Sequence, residues 1–208
     1  MLIKIIVFNE RLCLTKIKRK ESVDKRFLAL YIYIVKHILT NNNKIFQRML
    51  RRSEAFVCYK EMFDQRLISL EIEGENEEKV FENVAAHLEK LGFVNEGYLN
   101  GITARERQFP TGLITQHLNI ALPHSDPEYV DKPFVYIARL KDEVTVKQMG
   151  DSQKMGVKNL FFLGIKDPKG QVGLLQAFME LFMKEEFVAA FMQEQEEEKI
   201  YQMFVQNI

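Results

Sequence analysis

The amino-acid sequence predicts an α/β fold, a three-layer α/β/α sandwich around a mixed sheet of four to five strands. Three observations predict it. Apolar residues alternate from Leu67 to Ile72, as they do in a strand. An unbroken apolar run at 160–163 is typical of a strand that is covered on both faces. From residue 172 onward, apolar residues recur at helical spacing. The resulting order of elements places helices on both sides of one sheet.

The first strand and the first helix have clear local signals. Asn76 is expected to cap a helix whose first turn is acidic, and Gly92 is expected to stop it. The strand is expected to direct three alternating side chains to one face, namely Ile68, Leu70 and Ile72. The helix is expected to bury an apolar stripe made of Val80, Phe81, Val84, Ala85, Leu88 and Leu91.

The remaining elements follow in order. A second helix is expected over Glu96–Gln108 and is ended by Pro110. Short strands around Ile114 and Leu118–Leu122 flank a polar break. Later strands are expected at Phe134–Leu140, Val144–Lys147 and Val157–Ile165. Three helical stripes then run to the last residue: Val172, Leu175, Phe178, Met179 and Phe182; Phe187, Val188 and Phe191; and Ile200, Met203 and Phe204.

Charge divides the chain into two parts. Residues 1–52 hold 13 Lys and Arg against 3 Asp and Glu, and the other residues hold 16 against 26. Such asymmetry is typical of a separate segment, so we expect a basic extension at 1–61 and a domain at 62–208. The extension is open to three interpretations: a basic arm for an anionic surface, a poorly packed segment, or a translation start at Met49 or Met62. Like-charge segments are common without a partner, so nucleic acid binding is not expected.

Cysteine and apolar content indicate a cytoplasmic protein. Cys13 and Cys58 lie far apart, which disfavours a disulfide framework and favours a reducing compartment. The longest apolar run, Phe27–Val35, is too short to span a bilayer, and no small-residue cleavage site follows it. The chain also lacks the Walker, dinucleotide-binding, HExxH and paired CxxC motifs. No cofactor or metal is therefore expected.

The loop at His124 is the candidate for chemistry. Pro123 precedes the histidine and Pro127 closes the loop, directly after a predicted strand. A neutral imidazole is a competent nucleophile towards phosphorus near pH 7. A histidine in a loop is more often simply exposed to solvent, so this feature by itself favours catalysis only weakly.

Two segments around this loop resemble a known family. They are Ala104-Arg-Glu-Arg-Gln-Phe-Pro-Thr-Gly112 and Gln116-His-Leu-Asn-Ile-Ala-Leu-Pro-His124. An Arg-Glu pair that ends a helix, a Thr-Gly turn and an Ile-Ala-Leu-Pro-His strand end are similar to the fructose–mannitol class of enzyme IIA domains. These are components of the phosphoenolpyruvate-dependent sugar phosphotransferase system. The Phe-Pro-Thr-Gly and Gln-His details resemble the galactitol-type branch, and the resemblance extends from about Leu67 to the last residue.

The resemblance implies roles for two residues. His124 matches the histidine that accepts a phosphoryl group from the phosphocarrier HPr and passes it to a cysteine of an enzyme IIB partner. Arg105 matches an arginine near that site, where a guanidinium suits bidentate contact with phosphoryl oxygens. The alternative for Arg105 is a surface ion pair at the helix end with Glu106 or another acid.

Three further residues are candidates with a structural alternative each. His117 fits the galactitol-like pattern and is either a donor near the phosphoryl group or a structural loop histidine. Thr111 is either a hydroxyl in the wall of the site or a turn residue. Ser125 is either a hydrogen-bond donor to a phosphoryl oxygen or a residue that suits the loop. His87 and His37 are expected to be structural.

The mannitol-like branch has a second active-site histidine at the start of the helix after the last core strand. Residues 167–171 here contain none, which favours the galactitol-like branch. Lys169 or the amides of that helix start are expected to contact the phosphate instead.

Three functions remain open on this basis. The first is a phosphoryl carrier that binds HPr and enzyme IIB transiently and meets the membrane only through its IIB and IIC partners. The second is a phosphorylation-dependent regulatory module, and the third is a structural homologue that carries no phosphate. The sugar is not encoded in such a domain, since the membrane component recognises it.

Overall fold

In the computed structural model, residues 59–208 are described, except for the side chains of residues 168–172. Residues 1–58 of the predicted basic extension, with Met49 and His37, lie outside these residues. The described part contains five strands: β1 (Phe63–Ile72), β2 (Gly112–Ile114), β3 (Asn119–Ala121), β4 (Phe134–Lys147) and β5 (Lys154–Gly164). It also contains five helices: α1 (Glu77–Lys90), α2 (Tyr98–Gln108), α3 (Pro168–Phe182), α4 (Glu185–Gln193) and α5 (Glu197–Asn207). Short 3-10 turns lie at Tyr59–Met62 and Pro127–Tyr129.

The five strands form one mixed sheet in the order β1-β4-β5-β3-β2. β1 pairs with β4 and β3 pairs with β5 in parallel, whereas β4–β5 and β2–β3 are antiparallel. Because β3 and β5 run in the same direction, residues that follow β3 continue along the C-terminal half of β5. The predicted mixed sheet is confirmed.

Helices cover both faces of this sheet. Side chains of α1 and α2 pack on one face, with Phe134, Tyr136 and Phe162 of the sheet among them. Side chains of α3, α4 and α5 pack on the other face, around Phe161 and Leu163. The predicted α/β/α sandwich is therefore also confirmed, and residues 134–140 of β4 and 159–164 of β5 are buried on both sides.

α1 begins and ends where the local chemistry predicts. The Asn76 side chain accepts a hydrogen bond from the Lys79 amide at 2.9 Å. At the other end, Gly92 has φ +70, its amide donates to the Glu89 carbonyl, and the Phe93 amide donates to the Leu88 carbonyl. This pair of bonds is the Schellman arrangement, which favours glycine at the left-handed position.

The predicted side-chain pattern of β1 is wrong at its end. Ile68 and Leu70 pack on the face of α3–α5, as one face of a strand should, but Ile72 packs on the opposite face. The pairing with β4 is irregular between Ser69 and Ile72, and Glu71 has φ 58. One residue in the left-handed region interrupts the alternation and rotates the next side chain to the other face.

Several boundaries differ from the prediction. β1 begins at Phe63 instead of Leu67, and β5 extends over Lys154–Gly164 instead of Val157–Ile165. The segments expected as separate strands at Phe134–Leu140 and Val144–Lys147 are one strand, β4, with an irregular register between Arg139 and Val144. α2 begins at Tyr98 instead of Glu96, because the Asn95 side chain accepts from the Gly97 amide and forms a turn there.

No helix within residues 59–208 is long and apolar enough to cross a membrane. Packing on the sheet accounts for most of the apolar stripes in this part of the chain. Met179 was predicted in the stripe of α3 but is 46% exposed, and the side chain of Val172 lies outside the described residues.

Candidate functional site

His124 is held by the backbone of the central sheet. It lies three residues beyond the end of β3, where the Leu163 amide donates to the Pro123 carbonyl at 2.9 Å and His124 forms a parallel bridge with Leu163. The histidine is only 9% exposed. The predicted loop is thus a continuation of the sheet at this point, and its backbone position is defined by β5.

The contacts of the ring define its tautomer. Nδ1 of His124 lies 2.9 Å from the carbonyl oxygen of Leu122. A carbonyl only accepts, so Nδ1 carries the proton and donates it. In the neutral ring, Nε2 is then left with its lone pair and is the nucleophilic nitrogen.

Arg105 faces that nitrogen from the last turn of α2. Its Nη2 lies 3.1 Å from Nε2 of His124, and its Nη1 donates to Oδ1 of Asp126 at 3.5 Å. The guanidinium also lies over the Phe109 ring, 5.5 Å from its centre. Its buried Nε has no hydrogen-bond partner among the described residues. The guanidinium therefore retains donor capacity for an anion beside Nε2 of His124.

Burial lowers the pKa of His124 below its usual value, because a charged imidazolium is poorly solvated there. The hydrogen bond to the Leu122 carbonyl opposes this shift. The positive charge of Arg105 lowers the pKa further, and the negative charge of Asp126 raises it. The lowered pKa of His124 therefore favours its uncharged form at neutral pH.

The alternative for Arg105 was an ion pair at the helix end with Glu106 or another acid. Glu106 does not form it, whereas Asp126 does, at 3.5 Å. The Glu106 carboxylate accepts the Thr111 amide at 2.7 Å and the Thr111 hydroxyl at 2.8 Å. Both side chains are buried, with Glu106 5% and Thr111 2% exposed. Arg105 is thereby left for His124 and Asp126. The Thr111 hydroxyl is directed to Glu106, so it supports the site from behind.

Ser125 follows the histidine and is also buried, at 5% exposure. Its hydroxyl donates to the backbone carbonyl of Asp126 at 3.3 Å. This contact lies within the loop, so it fits the interpretation of Ser125 as a residue that suits the loop.

The structure does not bring His117 to His124. His117 precedes β3, whereas His124 follows it, so the two lie at opposite ends of that strand. His117 lines a separate cavity with Gly156 and Lys158 of the N-terminal half of β5. His124 pairs with Leu163, at the far end of β5.

The other predicted residues lie apart from His124 or outside the description. His87 is bonded through Nδ1 to the Tyr136 hydroxyl at 3.0 Å, which fits a structural histidine. The side chain of Lys169 lies outside the described residues. Within 59–208, no group of three or more His, Cys, Asp or Glu side chains is placed to hold a metal ion.

Two contacts of Arg105 were not predicted from the sequence. Asp126 ion-pairs with Arg105, and Phe109 stacks on it. Phe109 is 55% exposed, which is unusual for a large apolar side chain. Asp126 stands two residues after His124, and an acid so close to the candidate histidine was the available signal.

Comparison of the fold with solved structures identifies similar architectures. The mannitol IIA from Escherichia coli is 17% identical with a TM-score of 0.55, and the match covers 67% of this chain and 96% of that one. The complex of enzyme IIA and phosphorylated enzyme IIB for mannitol from Escherichia coli gives 15% identity and a TM-score of 0.58, over 69% and 99% of the chains. The nitrogen regulatory protein IIA-Ntr from Neisseria meningitidis is 20% identical with a TM-score of 0.58. The match covers 69% of this chain and 97% of that one. At these identities the likeness shows the fold.

Comparison of sequences gives a more specific result. The galactitol-specific EIIA components of Escherichia coli strains K12 and O157:H7 are 26% identical to this chain over 98 residues, which is 47% of this chain. The match spans 65% of the length of those relatives, slightly less than two thirds. A family model described as "Phosphoenolpyruvate-dependent sugar phosphotransferase system, EIIA 2" matches residues 61–207. Since that match covers most of the chain, the protein belongs to the EIIA 2 family of the sugar phosphotransferase system.

Proposed function

We propose that this chain is a phosphoryl carrier, a phosphotransferase that holds the group covalently on Nε2 of His124. It accepts the group from HPr and passes it to a cysteine of an enzyme IIB protein during uptake of a galactitol-like sugar or polyol. The observation that carries the proposal is the 3.1 Å contact between Arg105 and Nε2, on a ring whose other nitrogen is bonded to the Leu122 carbonyl.

The two transfers balance as follows. Nε2 of His124 attacks phosphorus, its N–P bond forms, and the N–P bond of the phosphohistidine of HPr breaks, so HPr recovers its imidazole lone pair. In the second step a cysteine thiolate of enzyme IIB attacks, an S–P bond forms, and Nε2 recovers its lone pair. Nδ1 keeps its proton throughout and donates a hydrogen bond to the Leu122 carbonyl.

Arg105 stabilises the group in transit. Charge in phosphoryl transfer is spread over the three equatorial oxygens, and catalysis depends on positioning and on electrostatic stabilisation. A guanidinium beside Nε2 with an unpartnered Nε can donate to two of those oxygens. Asp126, which is 60% exposed, accepts from the same guanidinium and keeps it oriented.

The proposed partners are proteins, and each contact is transient. The mannitol enzyme IIA whose fold this chain shares was solved in complex with phosphorylated enzyme IIB, which supports an IIB partner here. We propose HPr as the donor because the chain belongs to the EIIA 2 family. We place the protein in the cytoplasm, with no nucleic acid partner and with the membrane reached only through the IIB and IIC components.

A regulatory role would use the same first step. The fold is shared with a nitrogen regulatory protein as well as with mannitol components, so the fold alone favours neither role. The two functions differ in the second step, because a carrier must deliver its phosphoryl group to a cysteine of enzyme IIB.

The test uses purified enzyme I, HPr and labelled phosphoenolpyruvate. We expect the wild type and His117→Ala to be labelled, and His124→Ala to remain unlabelled. Adding the galactitol enzyme IIB should then move the label to its cysteine. Equal labelling of wild type and His124→Ala would exclude His124 as the acceptor. An unlabelled wild type would exclude the carrier function, and label that stays on the chain with enzyme IIB present would favour the regulatory role.

A further inference from the structure

A buried acid lies directly behind the candidate site. Glu106 follows Arg105 in the last turn of α2 and is 5% exposed. Burial raises its pKa, and the two hydrogen bonds from Thr111 oppose that shift. Desolvating a carboxyl group is unfavourable unless hydrogen bonds satisfy it, and here the Thr111 amide and hydroxyl do so.

The position of Glu106 is unfavourable for the helix itself. A negative charge in the last turn of a helix opposes the helix dipole, so this acid does not stabilise α2 by its charge. A buried apolar side chain of similar size would serve packing equally well. The value of the carboxylate therefore lies in its tertiary partner, Thr111, which is five residues further along the chain and beyond the end of α2.

Thr111 connects this carboxylate to His124. The Leu122 amide donates to the Thr111 carbonyl at 3.3 Å, and the Leu122 carbonyl accepts from Nδ1 of His124 at 2.9 Å. Glu106 is thus the covalent neighbour of Arg105. It is also connected to the imidazole by a chain of hydrogen bonds that passes through Thr111 and Leu122. One carboxylate joins the two elements that carry the facing side chains.

We propose that Glu106 is a positioning residue that holds Arg105 opposite Nε2 of His124 and keeps His124 in the Nδ1–H tautomer. It touches neither the phosphoryl group nor the nucleophile and acts through Thr111. This inference rests on the proposed function, since it assigns to Glu106 a part in the same transfer.

The variants separate charge, shape and partner. Glu106→Ala removes both acceptor oxygens, Glu106→Gln keeps one acceptor for the Thr111 amide, and Thr111→Val removes only the hydroxyl. Arg107→Ala is the matched control, because Arg107 lies in the same turn of α2 but is exposed and paired with Glu78 at 2.6 Å.

Two measurements are made on each variant. The first is the rate of phosphoryl transfer from HPr, with kcat and KM separated. The second is the tautomer of neutral His124, read from the ¹⁵N chemical shifts of its imidazole in the unphosphorylated protein. A misplacement of about 1 Å can reduce catalysis by about 100-fold.

We expect Glu106→Ala to lower kcat by about 10- to 100-fold with KM nearly unchanged, and to move His124 towards the Nε2–H tautomer. Glu106→Gln should recover part of the rate. Thr111→Val should have a smaller effect, and the double variant Glu106→Ala/Thr111→Val should be no slower than Glu106→Ala, because both changes break one connection. Arg107→Ala should match the wild type in both measurements.

A wild-type tautomer and rate in Glu106→Ala would overturn the inference. It would also be overturned if the rate loss in the double variant equalled the product of the losses in Glu106→Ala and Thr111→Val. If Glu106→Ala does not fold, wild-type tautomer and rate in both Glu106→Gln and Thr111→Val would overturn it equally. If the wild type itself accepts no phosphate, the proposed function fails. The tautomer then still decides whether Glu106 positions His124.

Discussion

The guanidinium of Arg105 donates to the lone pair of His124 Nε2, at 3.1 Å between the two nitrogens. In the proposed transfer, phosphorus would approach Nε2 from the direction that this guanidinium occupies. The arginine would then exchange this contact for contacts with the phosphoryl oxygens, and Asp126, 3.5 Å from Nη1, would keep the guanidinium nearby.

Replacing Arg105 should slow transfer while leaving the fold intact. We expect Arg105→Ala to reduce the rate from HPr by about 100-fold, the usual loss when one stabilising donor group is removed. Arg105→Lys should fall in between, because an ammonium keeps the charge but not the fork of donors. Rapid-quench measurement of labelled protein checks both, and an Arg105→Ala rate within about twofold of wild type would contradict the assignment.

Acid should inactivate the protein at a pH below the ordinary range for histidine. Protonation removes the Nε2 lone pair, and burial lowers the pKa of His124, so acceptance of phosphate should persist below pH 6.5 before it declines. Arg105→Ala should raise the pKa of His124, since the arginine charge lowers it. An NMR titration of the imidazole checks both statements, and a pKa of His124 above 6.5 in the wild type would contradict them.

The same shift of the His124 pKa has a consequence for stability. Between the folded-state pKa and 6.5, the unfolded chain binds more protons than the folded chain at this residue. The contribution of His124 to the free energy of unfolding should therefore increase as pH rises through that window. Denaturation of the wild type and His124→Gln at several pH values would measure this contribution as a difference in the free energy of unfolding. Between the folded-state pKa of His124 and pH 6.5, the stability of His124→Gln should depend less on pH than that of the wild type.

Glu77 should affect stability in the opposite direction. Burial, with the nearby charges of Glu106 and Glu78, raises the pKa of Glu77 to about 7. The folded state then holds this proton more tightly, so stability should decline as pH rises from 4.5 to 7. At pH 8 we expect the free energy of unfolding of Glu77→Gln to exceed that of the wild type by about 1 kcal/mol. This is less than the full pKa shift would give, because solvent screens a partly exposed group. Urea denaturation at pH 5 and pH 8 checks it, and an equal pH dependence in both proteins would refute it.

The aromatic core under α3–α5 depends on Phe161. Its ring centre lies 4.9 Å from that of Phe182 and 5.3 Å from that of Phe178, and the rings of Phe191 and Phe204 are within 6 Å. We expect Phe161→Ala to lower the free energy of unfolding by about 3–5 kcal/mol, measured in urea. Met183→Ala is the control, as that side chain is 66% exposed and should change stability by less than about 0.5 kcal/mol.

Features that depend on neighbouring residues were predictable from the sequence. The Asn76 cap and the Gly92 stop of α1 are local hydrogen-bond chemistry, and the structure confirms both. The unbroken apolar run at 160–163 predicted a strand buried on both faces, and Leu160 to Leu163 lie fully buried between the two helical layers.

Features that depend on contacts across the fold were not. Nothing in residues 67–72 marks Glu71 for a left-handed conformation, so the side of Ile72 was predicted wrongly. Whether Glu106 pairs with Arg105 or Thr111 depends on how the chain turns after α2. The separation of His117 from His124 follows from the strand that lies between them, since an extended segment carries its two ends apart.

The hydrogen bond from the Leu163 amide to the Pro123 carbonyl has a consequence for motion. An amide bonded within a central strand exchanges its hydrogen with solvent mainly when the surrounding structure opens as a unit. The Leu163 amide should accordingly be among the slowest to exchange, in contrast to the amides of an independent loop. HPr and enzyme IIB would each meet a histidine whose backbone is already in place, so that only side chains such as that of Arg105 rearrange during an encounter.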